Sequence, residues 1–111
     1  GGNMFRSLML LWGVAVFSAG LANGANGAKG VVIYYPFGCH YYIVESSRGY
    51  TLLEWYGGYD TNEGDTLTGD FESYGLKDIF DETIGSETKA WVEDFLLSEQ
   101  SVIEKYKKRC G

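Results

Sequence analysis

The sequence predicts a mainly β (or α+β) domain: a small antiparallel barrel or rolled sheet of five to six strands, closed off by one C-terminal amphipathic helix. Three observations carry this. Short β-branched and aromatic runs recur from Val31 to Leu97 with turn signals between them. Glycine is abundant, at 16 of 111 residues, as tightly curved sheets require. Only after Leu97 does the apolar period change from two to three and four, when Val102, Ile103, Tyr106 and Cys110 fall on one helical face.

The elements follow in order. "VVIYY" (31–35) is a strand, broken by Pro36 and Gly38. "CHYYIVES" (39–46) resumes, "SSRG" turns, and "YTLLEWYGG" (50–58) pairs back on it as a hairpin. "YDTNEGD" (59–65) is a polar loop. "TLTGDF" (66–71) is a short strand in which Gly69 marks a bulge or close approach. "KDIFDETI" (77–84) alternates charged and apolar residues, and Gly85 opens a tight turn. "TKAWVEDFLL" (88–97) is the longest strand. Its Ala90, Val92 and Leu96 fall on one face and Trp91, Phe95 and Leu97 on the other, so both faces need cover. Ser98 caps the final helix, Glu99 sits in its first turn and Lys107, Lys108 and Arg109 in its last, the polarity that the helix dipole favours. The run "GDTLTGDF", followed by a longer apolar strand pair, is similar to SH3-like barrels. That likeness covers about half the chain, rests on Gly-Asp-x-x-x-Gly alone, and brings no functional residue with it.

The N-terminal part is of another kind. "GGN" (1–3) reads as a cloning remnant. Arg6, the apolar run "LMLLWGVAVF" (8–17) and the small residues after it have the pattern of a secretory signal peptide over 4–22, with cleavage after Ala22. A retained anchor or a buried first segment are the other readings; the run is short for ~30 Å of hydrocarbon. Residues 23–30 are Gly/Ala/Asn-rich and read as a flexible linker, leaving 31–111 as the domain. The localisation expected is secreted or periplasmic, with no stable membrane insertion once the signal is removed.

Export gives the cysteines their meaning. Cys39 and Cys110 are an even pair, so a disulfide is expected. It would close a loop of about 72 residues, and loop entropy assigns it roughly 4.4 kcal/mol.

Charge narrows the partners. The chain carries 15 acids against 9 bases, net −6. From Glu45 to Asp94, 13 acids face only Arg48, Lys77 and Lys89, whereas Glu99–Arg109 holds two acids and four bases. A body this acidic repels phosphate, which disfavours nucleic acid and anionic membrane as partners.

Catalysis is not expected. Cys39 and His40 are adjacent, and neighbours on a strand point to opposite faces, so they make no nucleophile–base pair. One histidine is too few for zinc. No cofactor is implied. Asp60, Asn62, Glu63 and Asp65 form a hard-oxygen cluster and a weak calcium candidate, but glycine and glutamate are misplaced for an EF-hand. Carboxylate pairs such as Asp70 with Glu72 could serve a hydrolase only across an open cleft.

The aromatic surplus is the most informative feature: 9 Tyr, 6 Phe and 3 Trp. Trp55, Trp91 and Phe95 are expected in the core. Tyr41, Tyr42, Tyr50, Tyr56 and Tyr59 crowd the first hairpin and are the candidate binding residues, since exposed tyrosine offers large contact area at low entropic cost. The function expected is a non-catalytic binding domain for a protein partner or a cell-envelope polymer. The alternative is a self-associating assembly domain, a homo-oligomer formed through an exposed sheet edge or a swapped strand.

Overall fold

A computed structural model of the protein describes residues 27–111. The stretches read as a cloning remnant (1–3) and a signal peptide (4–22), and the first half of the expected linker (23–26), lie outside the described residues. Six strands are present: β1 (Ala28–Tyr34), β2 (Tyr41–Ser46), β3 (Gly49–Gly58), β4 (Thr66–Gly69), β5 (Gly75–Asp81) and β6 (Ser86–Leu97), followed by helix α1 (Glu99–Cys110). The strands close into an antiparallel barrel in the order β1-β2-β3-β6-β5-β4, with β4 returning to β1. The SH3-like outline is compatible with this architecture.

β1 begins at Ala28, three residues before the strand the sequence suggests. Ala28, Lys29 and Gly30 look like linker by composition, but they pair with Gly69, Thr68 and Leu67 and so complete the closure. Closure gives every strand a neighbour on both sides, although β4 reaches only Phe80 and Asp81 of β5.

Two glycines do what the pattern asked of them. Gly85 takes φ 82° in the β5–β6 turn. Gly69 takes φ 156°, which side chains rarely adopt, and a Cβ there would stand 3.3 Å from the Ile79 Cα, so β4 passes close to β5.

Alternation divides the apolar residues into two cores. Inside the barrel, Val32, Tyr42, Val44, Leu53, Leu67, Phe71, Ile79, Ala90 and Val92 pack together, with Trp55 and Phe95 half-buried against them. Outside, the β2–β3 pair Ile43 and Leu52 points away from the interior and is covered by Val102 and Tyr106 of α1. The helix therefore lies on β2 and β3 more than on β6.

That placement corrects two expectations. Trp91 is not core: it faces outward, 39% exposed, because α1 leaves that part of β6 uncovered. Leu96 does not continue the face of Ala90 and Val92. It is the one described non-glycine residue at positive φ (53°), a left-handed break that ends the alternation and turns its side chain out just before the helix.

The helix starts and stops as its sequence dictates. Ser98 Oγ accepts from the Ser101 N–H at 3.1 Å, and the Gly111 N–H donates to the Lys107 carbonyl at 2.8 Å. Cys39 and Cys110 are disulfide-bonded, Cα atoms 6.1 Å apart, which ties the start of β2 to the end of α1.

Candidate functional site

The hairpin tyrosines do not form one face. Tyr42 is fully buried in the barrel and is withdrawn from the binding set: it alternates with Ile43, and burial of Ile43 beneath the helix obliges Tyr42 to point inward. Its hydroxyl has no protein partner and its ring lies 4.9 Å from Tyr35. Desolvation, then the nearby Tyr35, Asp60 and Asp81, push Tyr42 far above the usual phenol range. Tyr50 stands beside the helix N-terminus and donates to Glu45 Oε2 at 3.2 Å. Tyr59 sits in the 59–65 loop, where its hydroxyl accepts from Asn62 Nδ2 at 3.0 Å.

Tyr41 and Tyr56 do share a surface, and it is larger than the sequence suggested. Across four strands the register aligns Tyr41, Glu54, Trp91 and Leu76 side by side, all pointing outward. Tyr56, 55% exposed, stands next in the row with its ring 6.4 Å from Trp91. Tyr74 extends it, packed edge-on to Phe95 at 4.7 Å and donating to Asp94 Oδ1 at 3.2 Å. Carboxylates border the row. Glu54 lies opposite Trp91; Glu93, two residues on, is paired with Arg109; Asp78 is held by Lys89 at 2.6 Å. Arg109 also stands over the Tyr41 ring at 6.0 Å. Burial, and then the facing Glu54 carboxylate, raise the Tyr41 phenol. The result is a sheet face of flat aromatic rings within a carboxylate border, aligned by the pairing of β2, β3, β6 and β5. Leu76 and Tyr74 were not singled out in the sequence. The signal that could have found them is the period-two step Tyr74, Leu76, Asp78, continuous with a strand whose neighbour carries Trp91.

The polar loop 59–65 serves structure. Asp60 Oδ1 accepts from the Tyr35 hydroxyl at 2.6 Å, Glu63 Oε2 from the Tyr35 N–H at 2.7 Å, and Asp65 Oδ2 from the Asn62 N–H at 3.2 Å. Of the calcium candidates Asp60, Asn62 and Asp65, the two carboxylates each accept from a protein donor, and Asn62 acts as a donor to Tyr59 and Asp65. Among the described residues no three His, Cys, Asp or Glu side chains are grouped to hold a metal.

What the loop builds instead is a buried polar knot. Thr61, Asp65 and Asp81 are all buried. Thr61 Oγ1 lies 2.7 Å from Asp81 Oδ2 and 3.2 Å from Asp65 Oδ2. A hydroxyl has one proton to donate, so the arrangement is fully satisfied when one of the two carboxyls carries a proton. Burial and the neighbouring Asp81 carboxyl raise Asp65 above the ordinary carboxylate value. Asp81 Oδ1 meanwhile accepts from the Thr83 and Ile84 N–H groups at 3.1 and 3.2 Å. Asp70 and Glu72 do not form a facing pair: Asp70 binds Lys77 at 3.2 Å, while Glu72 turns to Arg48 at 3.6 Å. His40 is exposed and stacks on Trp55 at 6.0 Å, with Cys39 beside it committed to the disulfide.

The chain is thus a small closed β-barrel bearing a disulfide-tethered helix and an aromatic sheet face. No family model matches it, and no curated protein or solved structure is significantly similar to it. No described helix is long and apolar enough to cross a membrane.

Proposed function

We propose that this is an exported, non-catalytic binding domain that recognises a protein partner or a cell-envelope polymer through the outer face of β2, β3, β6 and β5. The observation that carries the reading is the exposed set Tyr56, Trp91 and Leu76, continued by the half-buried Tyr41, held in register by four strands and bordered by Glu54 and Glu93. Rings fixed on a sheet lose little entropy on binding, and their flat faces suit sugar rings and apolar side chains alike. The carboxylates add selectivity for cationic partners and steer their approach. Export is supported by the signal-like segment 4–22 and by the Cys39–Cys110 disulfide, which persists in oxidising compartments.

Glycan and basic-peptide arrays probed with the wild type, Trp91→Ala and Tyr56→Ala test the reading. Binding by the wild type that falls about tenfold or more in both variants is expected, since exposed aromatic anchors carry a disproportionate share of binding energy. Equal binding by all three proteins removes this face from the function.

A further inference from the structure

A second surface lies on the far side of the helix. Val102 and Tyr106 are buried against the barrel, but Glu99, Ile103 and Lys107 recur at steps of four along the exposed flank of α1. This line forms one wall of a groove of about 690 Å³, whose opposite wall is Ile33, Tyr34 and Phe37. Tyr34 meets Tyr106 edge-on at 5.1 Å across the floor. Phe37, on the turn between β1 and β2, is fully exposed (107%) at the rim. An aromatic ring presented entirely to water beside an open apolar groove has no role in holding this monomer together.

The charges say what fits. Lys105 and Arg109 are each engaged within the molecule, by Asp94 and Glu93. Glu99 and Lys107 make no ion pair among the described residues, and they stand at opposite ends of the groove, about 12 Å apart along the helix. Opposite charges placed evenly about a central isoleucine are their own complement under a two-fold rotation.

We infer that the groove binds a second copy of this chain, in an isologous dimer whose α1 helices run antiparallel. Ile103 meets Ile103 of the second copy at the axis, Glu99 of each copy faces Lys107 of the other, and each Phe37 enters the opposite groove. The contact uses none of the Tyr41–Trp91 row, so a dimer presents two copies of that face, and the binding reading can fail without touching this one.

Sedimentation equilibrium of the disulfide-intact protein over about 5–500 µM tests it, a range set by the weak affinities of small interfaces. The wild type is expected to dimerise, and Phe37→Ser and Ile103→Asp to remain folded monomers. Glu99→Lys makes the stripe wholly positive and Lys107→Glu makes it wholly negative, so each alone is expected to weaken self-association by about tenfold. An equimolar mixture of the two is expected to dimerise again, as a heterodimer. Mixing leaves each chain's own helix unchanged, so recovery reports a contact between chains and not a folding defect. A wild type that stays monomeric throughout the range, or single variants whose mixture does not recover, overturns the proposal.

Discussion

The two apolar clusters of this molecule are built on different principles. The inner one is filled from all six strands and from Phe71 beyond β4, so every element of the barrel is answerable to it. The outer one joins only the β2–β3 pair Ile43 and Leu52 to Val102 and Tyr106 of one helix. A helix of twelve residues is marginal by itself, and four buried side chains are a small area to hold it. The disulfide and the ion pairs of Lys105 and Arg109 to Asp94 and Glu93 bind the helix at the end away from its capped start. The barrel is cohesive through packing, whereas the helix is docked by a covalent tether and a few side contacts.

If so, the largest effect comes from the inner cluster. Phe71→Ala should cost about 3–5 kcal/mol in denaturant melts and lower the whole barrel transition at once, since Phe71 has no exposure to lose. Reducing the tether should separate the two regions. The Cys39→Ser, Cys110→Ser double variant should lose about 2–4 kcal/mol, with hydrogen exchange of α1 amides rising before that of β3 and β6. Uniform exchange in both regions would show that they are one cooperative unit. A smaller loss, about 1 kcal/mol, is expected for Ser98→Ala, again read first in the helix.

The polar knot at Thr61 makes the barrel's stability depend on pH. Folding raises Asp65, so the folded protein keeps a proton that the unfolded chain releases. The stabilisation from this group is complete below the ordinary Asp value of about 3.9 and is lost as pH rises through the raised one. Asp65→Asn supplies donor hydrogens without ionising. At neutral pH it should melt about 2–5 °C above the wild type, with the gap closing as the pH is lowered towards 4. A gap that does not change with pH would show that folding does not raise Asp65.

The smallest stability effect is expected at the aromatic face: Tyr56→Ala should move the melting point within experimental scatter, because its ring packs on Trp91 in the open and neither belongs to a core cluster.

Much of this was legible in the chain. The strand runs, the β2–β3 hairpin, the Gly85 turn and the Ser98 cap are local choices that nothing in the fold overrides. The cysteine pairing followed from there being two. The aromatic surplus pointed to binding, but assigning it to hairpin tyrosines failed at Tyr42, because period two says that neighbours diverge and not which of them goes inside. Only the helix, by covering Ile43, decides that. Trp91 was misplaced for the same reason: its strand is apolar on both sides, and whether a side is covered depends on where α1 lies. Asp81 and Thr61 carry no sequence sign of burial, since a buried carboxyl and a solvated one are spelled alike.

Local sequence therefore set the order and type of the elements, the caps of the helix and the covalent link, because propensity, capping and turn chemistry act within a few residues. Tertiary structure alone decided which surfaces remain open. Closing β4 onto β1 completed the barrel, docking α1 on β2 and β3 left Tyr56 and Trp91 bare, and the turn at Phe37 placed a ring beside a groove. Each of these depends on contacts between residues far apart in the chain, where exposure is set by what else needs covering.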